Sequence, residues 1–346
     1  MNGYVVTRPF PDSNVGSNLS SLAGALHVAR RLERELVVDW RGMRQLRDLD
    51  LNYFAEFFAQ PNAIDGTTVH YAPFGDVDYS ESSPESRWLE PGEARAAAAK
   101  ADGALPRFIV LQTYHGLDRV HPGPESARFR LLRRAFQHVA PAPRIEAEIE
   151  AWWAENGRAS FVVAVNVRTG NGRYFGKGER YAGRVDISLF EDERRFLRLL
   201  ERACRARLAR LPRPLRDDFQ IFYATDSAAM SELLARLPNA ITRRRVFPPP
   251  NTGDLYAFGD GDYTDRDSVG DTIADMFLLA RCDALVYNTS LFNQYSRVVT
   301  GYFGGNCAHI ESIPLRKQTR FLLGSARRRI SRDLGGRVAA ARRGTA

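Results

Sequence analysis

The heptapeptide Asn166-Val167-Arg168-Thr169-Gly170-Asn171-Gly172 follows directly on the apolar run Phe161 to Val165. An arginine at the end of a buried strand can fork onto phosphate oxygens, and the glycines Gly170 and Gly172 on either side of Asn171 let backbone amides approach the same anion. Two more polar clusters, Thr225-Asp226-Ser227 and Asn288-Thr289-Ser290, also follow short apolar runs. Thr289 and Ser290, at the start of an expected helix, offer hydroxyls and free amides to a phosphate. In SVGDTIADMFLLAR (268–281), Asp271 and Asp275 lie one helical turn apart. Asp275, nearer the apolar residues, has two readings of equal weight: a carboxylate accepting hydrogen bonds from N1 and N2 of a guanine, or the partner of Arg281 or a neighbouring arginine.

Other chemistries lose support. GNGRYFGKG (170–178) approaches a P-loop, but Asn171 stands where the first glycine is required and Gly178 replaces the metal-binding hydroxyl. The D-x-D strings at 260–262 and 265–267 sit in a wholly polar stretch and read better as solvated loop than as a metal site. The six histidines show no metal-ligand spacing, and no G-x-S-x-G elbow occurs. No metal ligands are assigned.

The elements that must carry these residues are legible in outline. Residues 4–8 form a strand, an apolar three-and-four spacing from Leu19 to Leu32 predicts a helix capped by Ser17 or Asn18, and 36–39 form a second strand. The middle of the first half, broken by Pro84, Pro91 and Pro106, yields one strand at 108–111 before the helical IEAEIEAWW. The second half alternates: strands at 161–167, 219–224 and 284–287, helices near 189–210, 227–236, 268–281 and 290–300. This pattern implies an α/β protein with parallel sheets and helices on both faces, in which polar strand ends share one rim. We expect three parts: 1–145, 146–315 and a basic tail, 316–346.

With 346 residues, 44% hydrophobic and 26% charged, the chain fits two soluble domains. From Arg316 on there are ten basic residues against one acid, so the net charge of +8 belongs to the tail. A balanced body argues against a nucleic-acid groove. The tail is expected to be a solvated terminus, or a peripheral contact with anionic lipid. No secretory signal or membrane span is evident, and three widely spaced cysteines suit neither a disulfide framework nor a metal site, so a cytoplasmic setting is expected.

NVRTGNG, YATDSAAM and GDTIADMFLLARCDALVYNTSLFNQYSRVV resemble the three successive motifs of the family 23 fucosyltransferases, the group of the rhizobial nodulation enzymes. LVVDWRG (36–42) is similar to their start, and the resemblance reaches to about residue 311, thinly between 45 and 155. It implies a GT-B arrangement of two Rossmann-like domains, acceptor side first and GDP-fucose side second. It implies metal-independent, inverting transfer of fucose from GDP-fucose to a GlcNAc 6-hydroxyl on a chito-oligosaccharide, lipo-oligosaccharide or other glycan, with no cofactor. In those terms Arg168 would hold the diphosphate and Asp275 would read guanine. Asn166, Gly170, Asn171, Gly172, Thr225, Asp226, Thr289 and Ser290 would line the donor pocket. Two departures stand out: Asn166 replaces the family's usual histidine, and Arg173 replaces the glutamate after GNG. The nearest carboxylate, Glu179, is then the candidate base. A different nucleotide sugar, or GDP binding without catalysis, are the alternatives.

Overall fold

Two sheets organise the chain in the computed structural model, which describes residues 3–11, 13, 15–43, 49–73, 78–89, 93, 105–112, 125–167, 193–210, 212, 216–245, 266–287, 295 and 307–309. The first sheet has the order β3-β4-β2-β1-β6-β5. Its strands are β1 (Tyr4–Arg8), β2 (Glu35–Val38), β3 (Ala63–Ile64), β4 (Thr67–Tyr71), β5 (Ser86–Leu89) and β6 (Phe108–Gln112), all parallel except the β3/β4 pair. The second is wholly parallel, in the order β11-β10-β7-β8-β9, from β7 (Phe161–Val167), β8 (Phe219–Thr225), β9 (Ala240–Ile241), β10 (Ala284–Tyr287) and β11 (Cys307–His309).

Parallel neighbours need crossovers, and the helices supply them. Helix α1 (Val15–Arg31) joins β1 to β2, and the short α2 (Tyr53–Phe57) follows. Helices α3 (Glu125–Phe136) and α4 (Pro143–Asn156) lead into the second sheet, where α5 (Glu193–Leu208), α6 (Ala228–Leu234) and α7 (Arg266–Arg281) alternate with strands. Along β7 and β8 successive residues face opposite sides, as the pleat demands. Val163, Val165, Ile221 and Tyr223 pack with Phe196, Leu200 and Cys204 of α5 and with Met230 and Leu233 of α6. Val162, Ala164 and Phe222 join the core on the other face, where Ile145 and Ile149 of α4 and Ile273 and Phe277 of α7 lie. Burying each Leu, Ile or Phe of this set stabilises by about 1.5–3 kcal/mol.

That second core is continuous with the first sheet. It runs on through Phe57 and Phe58 to Leu36, Val38 and the buried face of α1. Phe58 meets Phe277 at 6.3 Å between ring centroids, and the Tyr295 hydroxyl donates to the Val139 carbonyl at 2.9 Å.

Several sequence expectations need adjustment. Helix α1 begins a turn early, at Val15, so Ser17 and Asn18 do not cap it. Both are buried inside it, and Asn18 accepts a hydrogen bond from the Ser13 hydroxyl. Ser227 does cap α6, accepting from the Met230 amide. The helix expected at 290–300 lies outside the described residues except for helical Tyr295. The irregular middle holds elements that the sequence reading missed, β4, β5 and α3 among them. Among the described residues no helix is long and apolar enough to cross a membrane.

Candidate functional site

In an open parallel sheet the ligand crevice lies outside the carboxyl ends of the strands, where strand order reverses. In the second sheet the chain moves from β7 through β8 to β9 on one side, while β10 and β11 lie on the other. The reversal falls between β7 and β10, where Asn166 is paired with Tyr287. Across the other edge of β7, Val167 pairs with Thr225. Two of the three polar strand ends therefore meet at one rim, and the chain leaves β10 for the third at the same place.

Asn166 and Thr225 are buried there, 6% and 4% exposed. The Asn166 amide donates to the Ala224 carbonyl at 3.2 Å, but among the described residues its Oδ1 has no hydrogen-bond partner, and neither does Thr225 Oγ1. A buried polar atom left unpaired costs about 1–3 kcal/mol. The pleat puts them on opposite faces of the sheet, Asn166 on the side of Ala164 and Thr225 on the side of Val165 and Tyr223, and each fits a polar ligand group that reaches its side of the switch-point rim. Asp226 follows directly, ahead of the α6 cap.

Asp275, on α7, is 4% exposed and belongs to a charged network. Its Oδ2 accepts from Arg245 Nη1 at 2.9 Å, and Arg243 Nη1 stands 3.8 Å from Oδ1. Arg245 also donates to the Thr225 carbonyl at 3.0 Å and to Thr272 Oγ1 at 3.4 Å. Arg243 pairs with Asp271 at 3.0 Å and approaches Glu148 of α4 at 3.7 Å. Of the two readings of Asp275, the neighbouring-arginine one is present, with Arg245 and Arg243 in that role. Arg281 instead pairs with Glu150. Burial pushes the Asp275 carboxyl up to about 6; the charges of Arg245 and Arg243 pull against that rise, and Asp271 adds to it. Its oxygens are not exhausted, since a carboxylate offers about four lone-pair directions and Arg245 uses one.

Arg243 and Arg245 were missed as site residues. They stand in Thr242-Arg243-Arg244-Arg245, just after the two-residue β9, a segment to which sequence alone assigned no role. The available signal was alternation: residues 243 and 245 share one side of an extended segment at the carboxyl rim, where two acids on α7 await partners. Of the other expected residues, Arg168, Gly170, Asn171, Gly172, Glu179, Thr289 and Ser290 lie outside the described residues, as does the D-x-D string at 260–262; of the string at 265–267, expected as loop, Arg266 and Asp267 open the helix α7.

Fold and rim define a two-sheet α/β protein whose second sheet carries buried polar and paired charged groups at its switch point. The chain belongs to the nodulation protein Z (NodZ) family, whose model matches residues 129–303, a little over half of the sequence. It is 27% identical to nodulation protein Z of Azorhizobium caulinodans over 297 residues, 82% of this chain and 85% of that one. It is 26% identical to nodulation protein Z of Bradyrhizobium diazoefficiens over 318 residues, 85% of this chain and 78% of that one. The fold matches the crystal structure of NodZ alpha-1,6-fucosyltransferase soaked with GDP-fucose, with a TM-score of 0.55 and 20% identity, over 86% of this chain and 93% of the other. The expected GT-B-like arrangement of parallel sheets holds.

Proposed function

We propose that the protein is a glycosyltransferase that moves fucose from GDP-fucose to a GlcNAc 6-hydroxyl of a chito-oligosaccharide or related glycan, with inversion and without a metal. The observation that carries this reading is the switch-point rim of the second sheet. Asn166 and Thr225 end adjacent strands there, and Arg245 ties Asp275 to the Thr225 carbonyl, within a chain of the NodZ family, a relative of which was soaked with GDP-fucose. In this reading residues 146–315 bind the donor and 1–145 face the acceptor. Arg168 meets the diphosphate, and the amides of Gly170, Asn171 and Gly172, with Thr289 and Ser290, complete the anion cradle. Fixed cations and amides of this kind stabilise charge as it grows on the departing GDP, the largest single contribution open to a site without a metal. Glu179 takes the acceptor proton. The tail from 316 on is a solvated or lipid-facing extension, and the setting is cytoplasmic.

Asp275 reads the guanine edge with the lone pairs that Arg245 leaves open, and it must be ionised to do so. With its carboxyl at about 6, GDP affinity is expected to be flat above pH 7 and to fall about tenfold per pH unit well below 6. Isothermal titration of GDP, IDP and UDP with EDTA present, between pH 5 and 8, checks this together with fucose transfer. GDP should bind most tightly and IDP more weakly, because it lacks the N2 donor. Tighter binding of UDP, or no nucleotide binding at all, would remove the donor assignment.

A further inference from the structure

The first sheet carries its own charged cluster, which the donor site leaves unused. There strand order reverses between β1 and β6, whose last residues, Arg8 and Gln112, are paired. Beside them the chain leaves β2 through Asp39-Trp40-Arg41. Asp39 is fully buried and fully served. Its Oδ1 accepts from Arg41 Nε at 2.8 Å and from the Arg41 backbone amide at 3.2 Å. Its Oδ2 accepts from Arg41 Nη2 at 3.1 Å and from the Tyr79 hydroxyl at 2.8 Å. Burial alone would lift this carboxyl, but Arg41, Tyr79 and, least of all, Arg8 hold it below the usual carboxylate range.

Arg41 is thus committed, since its Nη2 also reaches the Tyr79 hydroxyl at 3.1 Å. Arg8 is not. It comes no nearer to Asp39 than 3.9 Å, beyond hydrogen-bonding distance, and its side chain is 32% exposed. No side-chain hydrogen bond from it is present among the described residues. Its guanidinium lies over the Trp88 ring, 5.7 Å from the centroid, and Trp88 is itself fixed by Nε1 donating to the Tyr79 carbonyl at 3.2 Å. Stacking holds the guanidinium plane while its N–H donors stay open to a planar or tetrahedral oxyanion. Two cations around one carboxylate leave a surplus positive charge at a sheet's ligand-binding rim.

We propose that Arg8, held against Trp88 and flanked by the Asp39–Arg41–Tyr79 cluster, binds an anionic oxygen group, a carboxylate, sulfate or phosphate, on the acceptor. The acceptor assignment rests on the transferase reading, because the residues proposed for the donor stand on the other sheet. Neutralising Asp39 is not a sufficient role for Arg8: four donors already satisfy that carboxylate.

The test compares chitotetraose with the same oligosaccharide bearing one sulfate ester, using the full chain and its Arg8→Gln and Arg8→Lys variants. The unsubstituted protein should have the lower KM for the sulfated acceptor. Arg8→Gln should raise that KM about tenfold, leave the neutral KM and the GDP affinity within twofold, and keep the melting temperature close to that of the parent; Arg8→Lys should recover part of the loss. An equal effect on both acceptors, or none, overturns the site, and a loss of GDP affinity in Arg8→Gln assigns the anion to the donor and overturns the acceptor role. Titrating both oligosaccharides without donor separates the readings. If no fucose is transferred yet the sulfated ligand binds the parent and not Arg8→Gln, the transferase reading falls and the anion site stands.

Discussion

Arg245→Ala should destabilise the protein by about 3–5 kcal/mol, the cost of stripping a buried carboxylate of its partner. The change leaves Asp275 with Arg243 at 3.8 Å and takes a donor from the Thr225 carbonyl. Arg245→Lys keeps the charge but not the fork that spans β8 and α7, so its loss should be smaller. Removing both charges together, as in Arg245→Met with Asp275→Leu, should cost less than Arg245→Ala alone, because no unpaired charge then stays buried. Urea unfolding with intrinsic fluorescence measures all three. A cost below about 1 kcal/mol for Arg245→Ala, the range of an exposed pair, would mean that the pair is not buried in solution. The double substitution should also abolish the pH dependence of GDP binding, which ties the stability of the rim to the nucleotide reading.

Arg168→Ala carries the largest expected effect on turnover. Removing one preorganised donor to developing charge costs about a hundredfold to a thousandfold in kcat. GDP affinity should fall by about tenfold or more, in keeping with the roughly 1.5–3 kcal/mol of a charged hydrogen bond. Glu179→Gln gives the contrasting pattern, lower turnover with GDP binding intact. Single-turnover transfer assays beside calorimetry separate the two. Unchanged GDP binding in Arg168→Ala would take the diphosphate away from this residue.

The strands of the second sheet that carry the candidate site were legible because each is a short, nearly continuous apolar run, as parallel strands buried on both faces must be. Phe161–Val167 and Ala284–Tyr287 match their expected spans, and Phe219–Thr225 runs one residue longer. β4 and β5 escaped because they are short and half exposed, with Thr-Thr-Val-His-Tyr and Ser-Arg-Trp-Leu offering little apolar contrast. α3 escaped because its buried Phe129, Leu132 and Phe136 are interleaved with four arginines. At the site, residue type and position on a strand end pointed to Asn166 and Thr225, which do stand on one rim, while the anion-binding candidates lie outside the described residues. The partners of Asp275 were not legible: Arg243 and Arg245 lie about 30 residues away, and only the crossover from β9 to α7 brings them together. Arg8 and Asp39 were hidden for the same reason, separated in sequence and joined by the register of β1 with β2.

The unbroken core from α1 to α7 should couple the unfolding of the two sheets. A ligand that settles on the rim of either sheet then draws its stabilisation from the whole chain, by RT ln(1 + [L]/Kd). Thermal melts with donor alone and acceptor alone should each shift one common transition. Any coupling between the two substrates must be reciprocal, each tightening the other by the same factor.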